Sequence, residues 1–402
     1  VNNSFCSLAW RGITTDPDGS LRPCCVSTDK ILKNDGSEFN LGHDTLEEIY
    51  HSAFYQNLRQ KMLSGEKIDG CKTCYSNEEG GRESRRIINN NNFKDELLEQ
   101  DLVIKYMDLR LGNLCNLKCR MCSPMNSSLI EDELSNEDLV LNKYYFKSKQ
   151  TDKNWFNTDQ FDKNIDHHLK HLHTLYLTGG EPTLIKKNYD ILQRLIDLNQ
   201  HKNVTLIINT NMTNSNYKFY ELIKDFKSVI IQMSVDAIGD YANYIRYPSQ
   251  FDTIDRCVQD LLKLEGNIKL VAGPVLQILN LNTMVDVFEY FENFNRKFNK
   301  QVIDIRPGFV YHPPHLNLLY LPKDFKIECY RKIYLWMLEK CQYQSVMFKN
   351  FIGALKQTCY QTNLDSDKLK SFMEYNTHLD KLRDMNLKDY NPELFNILKT
   401  YA

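Results

Sequence analysis

Short apolar runs alternate along the chain with stretches whose apolar residues recur every three or four positions. IKYMDLRL (104–111) leads into a cysteine-bearing loop, and HTLYLTGG (173–180) precedes the amphipathic YDILQRLIDL (189–198). VTLIINTN (204–211) precedes FYELIKDF (219–226), and SVIIQMSVD (228–236) precedes IDRCVQDLLKL (254–264). IKLVAGPVLQIL (268–279) precedes MVDVFEYFENF (284–294), and VIDIRPGFV (302–310) precedes FKIECYRKIYLWMLEK (325–340). Six strand-then-helix units in succession predict an α/β fold, a parallel sheet flanked by helices. They are too few for a complete eightfold barrel, so a partial barrel or an open doubly wound sheet is expected. In either, active residues belong at the carboxyl ends of the strands.

Outside these units the pattern changes. Near the amino terminus, DPDG (16–19) is a turn signal between two strand-like runs and predicts a hairpin. LGHDTLEEIYHSAFYQNLRQKMLSG then reads as an amphipathic helical stretch before CKTC (71–74). The asparagine-rich IINNNNFKD (87–95) reads as a linker. From about Ser127 to Asp166 a helix followed by an exposed excursion is expected, and residues 341–402 read as helical, without a motif. The boundaries this implies are 1–86, a linker at 87–99, 100–325 and a helical extension at 326–402.

Composition narrows the chemistry. The 402 residues are 42% hydrophobic and 25% charged, with 50 basic against 52 acidic side chains and a net charge of −2. This is a globular composition with no global basic excess for nucleic acid. The absence of an 18-residue apolar run or an export signal points to the cytoplasm, without a membrane span. Twelve cysteines in such a chain suggest metal rather than disulfides. Cys6, Cys24, Cys25, Cys71, Cys74, Cys115, Cys119 and Cys122 are clustered. Cys257, Cys329, Cys341 and Cys359 are scattered and read as buried small hydrophobes.

GNLCNLKCRMCSP (112–124) holds three cysteines, one short of a closed zinc site or a complete iron–sulfur cage. CNLKCRMC resembles the C-x3-C-x2-C signature of radical S-adenosylmethionine (radical SAM) enzymes, and TGGEP (178–182) resembles that family's Gly-Gly-Glu-Pro motif. The resemblance covers roughly residues 100–325. It implies a partial (β/α)6 TIM-like barrel and a [4Fe–4S] cluster on Cys115, Cys119 and Cys122. The iron without a protein ligand then binds S-adenosylmethionine, whose reductive cleavage yields a 5′-deoxyadenosyl radical. Met121 stands where the family usually places an aromatic residue beside the adenine. Gly179, Gly180 and Glu181 are implied in binding the cofactor, Glu181 receiving its ammonium group. Asn209 closes the third strand, Ser234 and Asp236 are implied near the ribose, and Arg246 against the carboxylate. Gln277 and Asn280 fall in the fifth-strand region that packs near adenine.

Cys6, Cys24, Cys71 and Cys74 supply four thiolates, enough for a second cluster or for a structural zinc. The arrangement resembles the auxiliary modules called SPASM and twitch, placed here before the barrel rather than after it; Cys25 is the spare. HPPH (312–315) reads as a rim loop whose histidines meet substrate or solvent. Together these features imply hydrogen abstraction from a substrate, a peptide or protein side chain, with a small alcohol or amino sugar as the alternative. The electron donor expected is a flavodoxin or ferredoxin, and the auxiliary cluster is expected to bind substrate or accept an electron. An iron–sulfur electron carrier is the non-enzymatic alternative; a vacant coordination site argues against it.

Overall fold

The protein is described by a computed structural model covering residues 3–81, 83–94, 102–134, 138, 140–145, 152–214, 217–361 and 365–400. In chain order its strands are β1 (Gly12–Thr15), β2 (Leu21–Arg22), β3 (Tyr106–Arg110), β4 (Lys118–Cys119), β5 (Thr174–Thr178) and β6 (Thr205–Thr210). They continue with β7 (Ser228–Met233), β8 (Arg246–Tyr247), β9 (Ile268–Ala272), β10 (Val275–Leu276), β11 (Ile303–Ile305) and β12 (Gly308–Phe309). Each of β3, β5, β6, β7, β9 and β11 is followed in sequence by a helix, the repeat of a (β/α)6 partial barrel, and the fold is α/β with a mainly parallel sheet. The backbone divides into two compact units. One holds residues 1–114, 149–208 and 218–229, the other 115–148, 209–217 and 230–402.

In the first unit the strands run β6, β5, β3, β1, β2. β1 lies parallel to β3, with Gly12 opposite Tyr106 and Thr14 opposite Asp108, and β2 closes the expected hairpin antiparallel to β1. Gly19 makes that turn at φ +84°, and a Cβ there would come within 2.6 Å of the Trp155 ring. Only glycine meets both demands. Trp155 is fully buried and donates from Nε1 to the Pro17 carbonyl at 2.9 Å.

Residues 152–166 are therefore not the exposed excursion that their mixed pattern suggests. Trp155 and Phe161 carry the apolar area of this segment, and both are buried. The helix Asp159–Leu169 starts at Thr158, whose side chain accepts from Phe161 N. Residues 146–151 lie outside the described residues. Arg85–Asn92 forms a helix that runs into the expected linker at 87–99, and residues 95–99 are not among those described. Asparagine is a poor helix former. Here Ser84 caps the helix, Asn90 donates to the Phe5 carbonyl at 2.9 Å, and Arg86 pairs with Glu78, so tertiary contacts override propensity.

In the second unit β7, β9 and β11 lie side by side, with β9 and β11 parallel. Helices Met284–Phe298, Lys323–Glu339 and Val346–Tyr360 share an aromatic core of Phe288, Trp336 and Phe348. Cys257, Cys329, Cys341 and Cys359 are buried, as their isolation suggests. The expected helical extension continues with Ser366–Leu382 and Pro392–Lys399. Among the described residues no helix is long and apolar enough to cross a membrane.

Candidate functional site

The three-cysteine loop belongs to the second unit. Cys115 and Cys119 are buried around Leu117, and Met121 and Cys122 pack against them. The loop is shaped by backbone: β4 pairs antiparallel with β8, setting Cys119 opposite Arg246. Ser127 Oγ donates to the Leu117 carbonyl at 2.6 Å and also caps the next helix at Ile130 N.

Arg246 brings charge to the thiols. Its Nη1 lies 3.7 Å from Cys119 Sγ, while Nε and Nη2 both lie 2.7 Å from Asp236 Oδ2. Burial opposes its charge, but Asp236 and the neighbouring thiol positions outweigh that and keep it protonated. Asp236 is itself buried and accepts from Val275 N at 2.7 Å, so both of its oxygens are engaged within the chain. Asn211, which the sequence reading passed over beside Asn209, lies with Nδ2 3.9 Å from Cys115 Sγ and 2.9 Å from Asn116 Oδ1.

Burial pushes the Cys122 thiol up to about 12 and raises Cys119 as well. Such thiols do not ionise readily unless a metal takes the place of the proton. A ligand is invited nearby by atoms that lack partners. Gln277 is fully buried with neither amide atom hydrogen-bonded, and Asn209 Oδ1 is also unmatched. Its neighbour Asn280 is committed, donating to the Asp236 and Val275 carbonyls at 3.1 and 3.0 Å. Unpartnered buried amides are costly and mark places where a polar ligand fits. Ser234 is half-buried, its backbone N donating to the Thr210 carbonyl at 2.9 Å. These features fit a cluster and a polar cofactor. Among the described residues no three His, Cys, Asp or Glu side chains converge as around a single metal ion; a multi-iron cluster spreads its thiolates over a larger body.

Gly179, Gly180 and Glu181 belong to the first unit. Gly179 at φ +81° faces Arg110, and a Cβ on Gly180 at φ +51° would come within 2.3 Å of the Leu114 carbonyl oxygen. The same carbonyl accepts from Glu181 N at 2.8 Å, so the glycine turn is packed onto the segment that enters the cysteine loop in sequence. Glu181 is buried, and its Oε1 accepts from Thr183 N and Oγ1 at 3.2 and 2.7 Å.

The first unit also gathers the amino-terminal cysteines. Cys6 is electrostatically coupled to Cys71 and Cys74, and Cys24 to Cys25, Cys6 and Cys71. Burial lifts Cys6 to about 12 and Cys71 to about 11, and also raises Cys24. Besides its coupling to Cys24, Cys25 is coupled to Arg85, Asp108 and Arg110. Asp108 is fully buried with Oδ1 3.8 Å from Arg110 Nε, and burial raises its carboxyl to about 6.

The HPPH histidines do not act as a pair. His312 is exposed, whereas His315 is buried against the Tyr144 and Tyr375 rings and lowered to about 4 by burial. His315 therefore corrects the expectation of a rim histidine meeting substrate or solvent. The structure also adds residues that no motif announced: Arg120, between Cys119 and Cys122, and Tyr375, Asn376 and Asp380 on helix Ser366–Leu382, which meet it.

No curated protein sequence matches the chain. Among solved structures, anSMEcpe with bound AdoMet is similar at 17% identity over 58% of this chain and 60% of that chain, with a TM-score of 0.38. SuiB of Streptococcus suis bound to S-adenosylmethionine is similar at 12% identity over 76% and 64%, also with a TM-score of 0.38. SuiB bound to its precursor peptide SuiA follows at 13% identity over 87% and 58%, with a TM-score of 0.32. The chain thus spans less than two thirds of the length of these proteins. Residues 109–291 match the radical SAM superfamily model, and residues 6–75 match SPASM, an iron–sulfur cluster-binding domain. S-adenosylmethionine and [4Fe–4S] clusters are the groups that these two domains bind. One chain therefore carries a region matching SPASM, an iron–sulfur cluster-binding domain, ahead of a region matching the radical SAM superfamily.

Proposed function

We propose that this enzyme reductively cleaves S-adenosylmethionine at a [4Fe–4S] cluster held by Cys115, Cys119 and Cys122, and abstracts hydrogen from a peptide or protein side chain. The observation that carries the reading is the loop itself. Three cysteines lie together around Leu117, and Arg246, paired with the buried Asp236, touches Cys119. When bound, the cluster and S-adenosylmethionine would supply the electron transfer and the 5′-deoxyadenosyl radical. The chain's part is to bind, orient and exclude water. Arg246 keeps a permanent positive charge at the thiols, and Asp236 holds its fork in one orientation. Gln277 and Asn209 offer unmatched amide groups to a polar ligand. Ser234 and Met121 complete this set. Gly179 and Gly180 leave room for close backbone approach, and Glu181 adds a carboxylate whose orientation Thr183 sets.

In the same reading Cys6, Cys24, Cys71 and Cys74 hold an auxiliary [4Fe–4S] cluster that binds substrate or accepts the electron left after abstraction. The SPASM match over residues 6–75 supports the cluster-binding role, and the peptide substrate is the class that the resemblance to auxiliary-cluster enzymes favours. A flavodoxin or ferredoxin is the proposed donor, and residues 1–86, 100–325 and 326–402 are the proposed domains. The test is anaerobic reconstitution followed by assay for 5′-deoxyadenosine under dithionite. About eight irons per chain and product formation are expected. Stoichiometric zinc without iron, or no product with any reductant, would overturn it.

A further inference from the structure

We infer that the carboxy-terminal helix Ser366–Leu382 is part of the S-adenosylmethionine-binding cluster site, acting through Arg120 as a positioning residue. This rests on the proposed role of Cys115, Cys119 and Cys122. Arg120 sits between two of the three cysteines in sequence, yet its side chain is fully buried. Every part of its guanidinium is used. Nε donates to the Tyr244 carbonyl at 2.8 Å, Nη1 to Asn376 Oδ1 at 2.8 Å, and Nη2 to Asp380 Oδ1 at 2.6 Å. The plane also stacks on the Tyr244 ring, 3.8 Å from its centroid, and Asn376 Nδ2 donates to Tyr244 Oη at 2.7 Å.

The backbone of Arg120 is pinned as well. Its N donates to the Ile245 carbonyl at 2.9 Å, and its carbonyl accepts from Tyr375 Oη at 2.7 Å. Asp380 is held from behind, since Oδ2 accepts from Leu387 N at 3.0 Å. Tyr375 and Tyr145 also belong to the apolar cluster that packs against Cys122.

Two features make this more than a tether. A buried cation is costly unless it is paired and fully hydrogen-bonded, so a contact that merely attached the tail would more cheaply be apolar. And Arg120 lies one residue from Cys119 and two from Cys122. Fixing its backbone and side chain together fixes the path between two thiols, and so would set how they present themselves to a cluster.

The test uses the full chain, reconstituted anaerobically, with Arg120→Lys, Arg120→Met and Asp380→Asn. Iron per chain, the electron paramagnetic resonance signal of the reduced cluster with and without S-adenosylmethionine, and equilibrium binding of S-adenosylmethionine are read. Arg120→Met is expected to lose about four of about eight irons. Asp380→Asn and Arg120→Lys keep their iron. They lose the cofactor-dependent change in the signal and bind S-adenosylmethionine about tenfold more weakly, because a lysine cannot make the same fork of bonds. Leu394→Ala, in the buried face of helix Pro392–Lys399, loosens the extension without touching Arg120 and should keep the wild-type signal. Full rescue by lysine, or a Leu394→Ala signal identical to that of Asp380→Asn, would overturn the inference. Wild-type protein without iron on Cys115, Cys119 and Cys122 would instead overturn the proposed function beneath it.

Discussion

The two cysteine sites are built in opposite ways. The loop site takes all three thiols from eight consecutive residues, and its chain path is held by β-pairing to Arg246 and by bonds reaching from residues 244, 376 and 380. The amino-terminal site takes four thiols from positions as far apart as Cys6 and Cys74. Its halves are held by a hairpin, a buried tryptophan and a helix end. A local motif fixes ligand spacing cheaply but needs distant residues to hold its shape. A dispersed set needs the fold to assemble it at all. The loop, with three thiols, leaves chemistry open; the cage, with four, closes it.

The sharpest break in this comparison comes from the ligands. Replacing Cys115, Cys119 and Cys122 by Ala should remove about half of the iron and abolish 5′-deoxyadenosine formation, read by iron assay and chromatography. Cys71→Ala/Cys74→Ala should remove the other half while keeping uncoupled cleavage. Loss of all iron in either variant would mean that the two sites are not independent.

Next in size is the charge at the loop. Arg246→Ala should weaken S-adenosylmethionine binding about ten- to several-hundredfold with both clusters in place, measured by equilibrium dialysis. Unchanged affinity would show that the guanidinium serves only Asp236 and Cys119. On the amino-terminal side, Trp155→Ala removes a fully buried ring against the hairpin. A loss of about 3–5 kcal/mol in anaerobic denaturant unfolding is expected. A smaller loss would mean that the hairpin is held mainly by its strand pairing.

A pH-dependent effect concerns Asp108, beside the spare Cys25. Burial raises its carboxyl to about 6, above the ordinary value of 3.8. The folded state then binds a proton more tightly than the unfolded state, so stability falls as pH rises from about 4 to about 6 and stays lowered above that. Asp108→Asn should therefore be more stable than wild type at pH 7.5 by up to about 3 kcal/mol, with the difference shrinking below pH 6. A difference independent of pH would assign the effect to packing instead.

Much of the site was legible because its signals are local. Spacing placed Cys115, Cys119 and Cys122, and the DPDG turn and the TGGEP motif singled out Gly19, Gly179 and Gly180, which take positive φ in the structure. Strand periodicity placed Asn209, Ser234 and Asp236 at or just beyond strand ends. Asn211 could have been found with them, since NTN offers two asparagines and only one was weighed. Arg120 had no such signal. An arginine between two cysteines reads as a solvated residue, and its partners lie 124 to 260 residues away.

What the sequence alone determined is what depends on near neighbours: the α/β order of six strand–helix units, the hairpin, the two cysteine groupings and the glycine turns. Those follow from side-chain period and backbone sterics, which act over a few residues. Only the tertiary structure decided that Asn89 and Asn90 would be helical, that Trp155 would be buried, that His312 and His315 would part, and that the carboxy-terminal helix would grip Arg120. In each case the deciding energy is burial or a hydrogen bond to a residue remote in sequence. Such an energy exists only once the chain has folded, and it exceeds the few tenths of a kcal/mol by which local propensity leans the other way.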